Sequence, residues 1–163
     1  MKIILTIITV FTFSFLDAQV WNGNVTINNS NDITTYLSGY SEIIGDVTIS
    51  PFFSTTSNIL KVNGLKKLTG SLLIKDNQNI TRIDLGSLEL VGAFLVVSNN
   101  SNLTTIELGN LNTIKNSIEI SKNPLLQSFN SKDLSFIKQG INISNNGALS
   151  QINLLGVQNL PSR

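Results

Sequence analysis

LLIKDNQNI (residues 72–80), LVVSNNSNL (95–103), IEISKNPLL (118–126) and INISNNGAL (141–149) are four versions of one segment, and each begins 23 residues after the one before. In every copy an apolar residue occupies the first, third and ninth positions, and an asparagine occupies the sixth. Self-similarity at a fixed period indicates a solenoid, in which each repeat is one coil that buries its apolar face against neighbouring coils. The sequence therefore predicts a stack of coils.

Apolar and polar residues alternate at the start of each copy, which is typical of a strand with one buried face. Four further apolar positions recur with the same step and complete the coil. They are Ile83, Ile106, Phe129 and Ile152; Leu85, Leu108, Ser131 and Leu154; Leu88, Leu111, Leu134 and Val157; and Val91, Ile114, Ile137 and Leu160. Ser131 is the one polar residue among them, so we expect these positions to form one continuous core.

The period continues towards the N-terminus with irregular spacing. Val47 and Ile49 precede the equivalent Leu72 and Ile74 by 25 residues, so the segment 51–57 contains a two-residue insertion. Insertions in repeat proteins map to loops, and we expect one here. Counting the strand predicted at residues 25–27, the chain has about six coils of about 23 residues.

The segment NSNDITTYLSGY (residues 29–40) interrupts the strand pattern. An Asn or Ser cap precedes Ile33, Tyr36, Leu37 and Tyr40, whose spacing predicts one face of a short helix. Because a solenoid needs an atypical end coil over its core, we expect this helix to belong to an N-terminal cap at about residues 21–42, followed by coils at about 43–160.

The first eighteen residues resemble a secretory signal peptide. A short basic start, Met1-Lys2, leads into an apolar run and then into small residues before Gln19. The alternative is a membrane anchor, but the run is shorter than the ~20 residues that a spanning helix needs. The sequence predicts an exported chain, with residues 1–18 removed, residues 19–163 forming one domain, and no transmembrane segment.

Composition restricts the chemistry of this domain. The chain has no Cys and no His, and eleven Lys plus Arg balance ten Asp plus Glu. Without a basic surface we expect no nucleic-acid partner, and without Cys the core must stabilise the fold with no disulfide. We also expect no cofactor.

An asparagine recurs after each strand, at Asn77, Asn100, Asn123 and Asn146. A short amide can satisfy backbone groups where the chain turns, and identical amides stack between coils. A row binding sugar or calcium is the alternative, but calcium needs several carboxylates and these turns offer only Asp76. We therefore interpret the row as a structural ladder and expect no metal site.

The segment YSEIIGDVTI (residues 40–49) resembles the opening of receptor L-domains, the leucine-rich-repeat-like solenoids of insulin and epidermal-growth-factor receptor ectodomains. GSLLIKDN, GAFLVVSNN and QGINISNN, from Gly70, Gly92 and Gln139, resemble coils of the bacterial members. The LDAQ sequence at residues 16–19 is similar to the signal ends of exported Bacteroidetes proteins. The resemblance implies an all-β, right-handed parallel β-solenoid that acts in recognition at the cell surface. The animal receptors' hormone binding is not implied, because their cysteines, membrane segment and kinase have no counterpart in this sequence.

The period also places two carboxylates on one column, Asp84 and Glu107. Stacked carboxylates on neighbouring coils occur in solenoid enzymes that act on polysaccharides. The column continues with Asn130 and Asn153, and no His, Cys or nucleophile motif accompanies it. We therefore expect a solvated face and no enzyme, with a surface polysaccharide-active enzyme and a purely structural envelope repeat as alternatives.

Three columns are expected to point outwards from the main strands. They are Ser71, Phe94, Ser117 and Gly140; Leu73, Val96, Glu119 and Asn142; and Lys75, Ser98, Ser121 and Ser144. Leu73, Phe94 and Val96 form an apolar patch bordered by Lys75 and Glu119. Such a patch predicts a ligand-binding site for a protein or glycan, in a secreted or cell-surface recognition or adhesion module. A loop or a further segment covering the patch is the alternative.

The last coil ends at Leu160, with only three residues after it. Terminal repeats normally carry a polar cap. The sequence leaves two options open: a longer natural chain, or end-to-end self-association through this coil.

Overall fold

The computed structural model describes residues 19–53, 57–154 and 156–157 of the chain. The predicted signal peptide and Leu160 lie outside these residues. Over the described part the chain is a parallel β-solenoid whose coils pass in turn through three sheets.

The strands of each sheet pair in the order of the coils. The first sheet contains β1 (Val20–Asn22), β3 (Glu42–Ile44), β6 (Lys67–Leu68), β9 (Leu90–Val91), β12 (Thr113–Ile114) and β15 (Phe136–Ile137). The second contains β2 (Val25–Asn29), β4 (Val47–Phe53), β7 (Leu72–Lys75), β10 (Leu95–Ser98), β13 (Ser117–Ser121) and β16 (Gly140–Ser144). The third contains β5 (Ile59–Lys61), β8 (Arg82–Asp84), β11 (Thr105–Glu107), β14 (Ser128–Asn130) and β17 (Gln151–Asn153). Six coils result, which confirms the predicted fold class and number of coils.

The register of the pairs follows the sequence period. Leu95 lies beside Leu72 on one side and Ile118 on the other, each 23 residues away. The repeated apolar positions of the third, fourth and fifth coils are buried in one core. Ser131, which interrupts them, is also buried, and both its N–H (2.9 Å) and its hydroxyl (3.3 Å) donate to the Asn153 carbonyl oxygen. A polar group is tolerated in this core because it is hydrogen bonded.

The sixth coil is less covered than the others. Ile152 is 51% exposed, whereas Phe129, one coil earlier in the same column, is fully buried. Ile141, Ile143 and Leu149 pack against the core but are only partly buried. Self-association through this end stays a prediction.

The predicted helix is confirmed as a short helical segment in the first coil. It consists of α1 (Ser30–Asp32) and a π-helical turn (Ile33–Leu37). Asn29 caps it, since its side chain accepts from the N–H groups of Asn31 (2.9 Å) and Asp32 (3.1 Å), and Asp32 bonds back to the Asn29 N–H. The segment lies between the first coil's strands of the second and first sheets, where later coils carry a strand of the third sheet.

Aromatic residues join this helical segment to the start of the solenoid. Leu37 is buried in the core, and the Tyr36 ring meets the Trp21 ring edge to face with centroids 5.1 Å apart. Tyr40 lies beyond the helical segment and still packs against both rings, at 5.5 Å from Trp21 and 6.4 Å from Tyr36. These contacts fix the first coil against the second.

The insertion at residues 51–57 differs from expectation. β4 continues through Phe53, so the first three residues of the predicted loop belong to a strand. The pairing between β2 and β4 shifts at this point: Ile27 lies beside Ile49 but Asn29 lies beside Phe53, which absorbs two extra residues on β4. The insertion was wrongly assigned wholly to a loop, because a strand can accommodate extra residues as a bulge.

Candidate functional site: the outer face of the second sheet

The predicted binding residues come together on the outward face of the second sheet. Leu73 on β7, Val96 on β10 and Glu119 on β13 lie side by side in register. Lys75 pairs with Ser98 near the carboxyl ends of the same strands. Because neighbouring strands are ~4.8 Å apart, these side chains are within reach of one another.

The exposure of the patch agrees with an outward face. Phe94 is 40% exposed and directly precedes β10, while Leu73 and Val96 are partly buried in the surface of the sheet. Glu119 is exposed and Lys75 partly so. No described residue covers Phe94 enough to bury it, although Ile44, Ile59 and other apolar residues are exposed elsewhere on the chain.

What distinguishes the patch is adjacency. On the first sheet, exposed Phe136 lies beside Thr113, which separates it from Leu90. On the second sheet, Leu73 and Val96 lie directly beside each other with Phe94 next to them, so three apolar side chains are contiguous. Contiguous exposed apolar surface is the feature that marks interaction sites, whereas single exposed apolar residues are ordinary.

A polar groove of about 410 Å³ adjoins this patch at the carboxyl ends of β7, β10, β13 and β16. One row of its lining consists of Ser98, Ser121 and Ser144. A second row consists of Asp76, Asn99, Lys122 and Asn145, one residue from each of four successive coils. Glu119 completes the lining and also borders the apolar patch. The groove was not predicted from the sequence.

The second row of the groove has an unusual backbone conformation. Asp76, Asn99, Lys122 and Asn145 have φ between 54° and 59°, in the left-handed region. Each directly precedes an asparagine of the ladder, so the chain turns sharply out of the strand at this residue. Asp and Asn adopt this conformation more readily than most residues, and their recurrence before the ladder asparagine was the signal that could have indicated the turn.

Hydrogen bonds order part of the groove and leave part of it free. Asn99 Nδ2 donates to Asp76 Oδ1 at 2.6 Å, and the Ser121 hydroxyl donates to Glu119 Oε1 at 3.0 Å. Ser121 was predicted to point to solvent, but it is only 6% exposed because it is folded against Glu119. Within the described residues, the hydroxyls of Ser98 and Ser144 have no hydrogen-bonding partner, so both are available to a ligand.

The asparagine ladder lies beneath this groove. Asn77, Asn100 and Asn123 are fully buried, and Asn146 in the last coil is partly buried. Each of the first three donates from Nδ2 to the Oδ1 of the next, at 2.8, 3.1 and 3.1 Å, and their backbone N–H groups donate to the same oxygens at 3.2, 3.0 and 2.9 Å. Such bonding consumes the polar atoms of the buried amides, which supports the structural interpretation.

The ladder begins one coil before its first asparagine. The Phe52 N–H donates to Asn77 Oδ1 at 2.7 Å, as the backbone of a ladder asparagine would. Asn77 Nδ2 also donates to the Ile49 carbonyl oxygen at 3.1 Å, which ties the third coil to the second.

The carboxylates of the third sheet are held by neighbours. Asp84 and Glu107 lie side by side on β8 and β11. Asp84 accepts from the Gly86 N–H at 3.0 Å and lies 4.0 Å from the Lys61 ammonium, while Glu107 accepts from Asn130 Nδ2 at 3.0 Å. A pair of carboxylates bonded in this way is typical of a structured surface.

Among the described residues, no three His, Cys, Asp or Glu side chains are grouped so that they could hold a metal ion. In the same part of the chain, no helix combines the length and the apolar character required to cross a membrane. Comparisons with protein-family models, with curated proteins and with solved structures find no match to this chain. Fold and repeat alone define its class: a parallel β-solenoid repeat protein.

Proposed function

We propose that this protein is an exported, non-catalytic recognition or adhesion module that binds a protein or a glycan at the cell surface through the outer face of the second sheet. The observation that carries the proposal is the contiguity of Leu73, Val96 and Phe94 on that face. Exposed apolar surface of this kind costs solubility, and it is retained where it contacts a partner.

The surroundings of the patch also favour recognition. Its outer rim is polar, with Glu119 beside Val96 and Lys75 near the end of β7. An apolar centre with a polar rim is the usual arrangement of a binding surface. Rigid sheets suit this role, because the side chains are held in place before the partner arrives and less conformational entropy is lost on binding.

Export and family rest on sequence features. The signal-peptide-like residues 1–18 favour a protein that is extracellular or associated with the outer envelope. The resemblance of residues 40–49 to receptor L-domains favours recognition over catalysis. Against an enzyme, Asp84 and Glu107 are engaged by neighbouring groups, and the chain contains no His or Cys that would supply a base or nucleophile.

The test is a capture experiment from cell-surface and glycan extracts with three forms of the protein. The first is wild type, and the second carries Phe94→Glu and Val96→Glu. The third is a matched control with Phe136→Glu and Thr113→Glu, a neighbouring pair on the first sheet in which Phe136 is 43% exposed, close to the 40% of Phe94.

We expect a specific partner to be recovered by wild type and by the control but not by the second form. Circular dichroism must show the same β-sheet signal for all three. Equal recovery by all forms, or recovery of nothing specific, would remove this face as the binding site.

A further inference from the structure

We propose that the polar groove binds an uncharged oligosaccharide whose chain runs across the strands, from the third coil to the sixth. The inference rests on the proposed recognition role of this face and assigns its ligand class. The groove is a surface separate from the apolar patch but continuous with it through Glu119, which lines the groove and lies beside Val96.

The composition of the groove argues against a protein ligand. Its lining consists of Ser, Asn, Asp, Glu and Lys side chains. Ser, Asp, Glu and Lys are depleted at the centres of protein–protein interfaces, which are richer in aromatic residues, Met and Arg. Sugar hydroxyls, by contrast, both donate and accept hydrogen bonds, and they match a surface that combines hydroxyl, amide, carboxylate and ammonium groups.

Free hydrogen-bonding groups are present where the ligand would lie. The hydroxyls of Ser98 and Ser144 have no partner among the described residues. Ser121 and Glu119, between them, are locked to each other at 3.0 Å, so the carboxylate is held in position and keeps a second oxygen for the ligand. This arrangement orients polar groups before binding, which lowers the entropic cost of recognition.

The repeat of the groove fits a chain of similar units. Its second row advances by one residue per coil from Asp76 to Asn145, and three strand spacings of ~4.8 Å give a length of ~14 Å. A sugar ring in an extended chain advances by a length close to one strand spacing. The groove therefore accommodates about three units, each meeting an equivalent set of groups.

Charge indicates which sugars fit. Two carboxylates, Asp76 and Glu119, are matched by the ammonium of Lys122 in the groove and that of Lys75, which lies beside Ser98 at its border. The balance leaves no net formal charge to attract an acidic polysaccharide. Neutral sugars, including N-acetylated ones, are therefore the expected ligands, with the apolar side of a unit able to pack against Val96.

The experiment titrates purified protein with defined hexasaccharides and follows amide chemical shifts by NMR. The probes are chito-, cello-, xylo- and manno-hexaose, with hexagalacturonate as the acidic comparison. The groove variant carries Ser98→Val and Ser144→Val, which removes both free hydroxyls at strand positions that tolerate a β-branched residue. The matched control carries Thr105→Val and Ser128→Val, a neighbouring hydroxyl pair on the third sheet.

We expect at least one neutral hexasaccharide to bind wild type and control with equal affinity. The groove variant should bind it about tenfold more weakly, because two hydrogen-bonding groups are lost, and hexagalacturonate should bind more weakly than the neutral ligand. Unchanged circular dichroism and urea midpoints show that the variants remain folded.

Three results would overturn the inference: no neutral probe bound at millimolar concentration, equal affinity for groove variant and control, or tighter binding of the acidic probe. The capture experiment separates this failure from that of the proposed function. If no sugar binds but Phe94→Glu with Val96→Glu still abolishes a specific partner, the recognition role stands and the ligand class is wrong. If both experiments are negative, both proposals fall.

Discussion

Replacing Asn100 by Ala tests whether the buried ladder holds the coils together. The Asn100 side chain takes part in four hydrogen bonds. It accepts from the N–H and Nδ2 of Asn77 at 3.2 and 2.8 Å, and it donates to the Ile74 carbonyl oxygen and to Asn123 Oδ1, both at 3.1 Å. Alanine removes all four and supplies nothing in their place.

The cost follows from the groups left behind. The N–H of Asn77, one hydrogen of its Nδ2 and the Ile74 carbonyl oxygen lose their partners, whereas Asn123 Oδ1 still accepts from the Asn100 N–H at 3.0 Å. Each buried polar group without a partner costs about 1–3 kcal/mol, so three of them cost about 3–9 kcal/mol. We expect a measured loss of at least ~3 kcal/mol, a large part of the ~5–15 kcal/mol that stabilises a typical domain.

Urea unfolding followed by circular dichroism measures this loss, with Asn146→Ala as the matched control. Asn146 makes the same kinds of contact to Asn123 and Ile120, but it is partly buried in the last coil, where water replaces the lost bonds. We expect its replacement to cost less than half as much. If Asn100→Ala stays within ~1 kcal/mol of wild type, or the two variants are equally destabilised, the ladder is not what couples the coils.

Three further substitutions test the backbone and the core, each by urea unfolding. Lys122 has φ 56°, so Lys122→Val should cost about 1–2 kcal/mol while Lys122→Gly costs nothing; equal losses would contradict the role of the left-handed turn. A Cβ on Gly92 would collide with a backbone carbonyl of the preceding coil, whereas one on Gly147 meets no atom within 4 Å. Gly92→Ala should therefore cost about 1–3 kcal/mol more than Gly147→Ala, and similar values would show that the coils can separate freely. Phe129→Ala should cost about 3–5 kcal/mol and Ile152→Ala under ~1, because only the first side chain is fully buried; a large effect at Ile152 would indicate that this end is covered in solution.

The sequence predicts most of this fold because one period controls both the core and the register. Once Leu72 and Leu95 are recognised as equivalent, their pairing as neighbouring strands follows, and so does the contiguity of Leu73 with Val96. In a solenoid the residues that meet are a fixed number apart, so contacts between coils can be read as easily as local ones.

Features that depend on local geometry were not predictable in the same way. The groove arises from left-handed residues such as Asn99, whose conformation is not specified by a polar–apolar pattern. Ser121 is buried because its hydroxyl turns to one particular neighbour, Glu119. Likewise, the strand pairing that absorbs the insertion after Ser50 depends on where β2 can bulge, which the count of residues alone does not determine.

The asparagine ladder also gives the solenoid an electrical direction. The Nδ2 groups of Asn77, Asn100 and Asn123 all donate towards the following coil, and every Oδ1 in the row accepts from the coil before it. The amide dipoles therefore add along the solenoid axis, as peptide dipoles add along a helix, and each hydrogen bond polarises the next. With a formal net charge of only +1, the protein still presents two ends of different electrostatic potential, and the positive end of the array lies at the sixth coil.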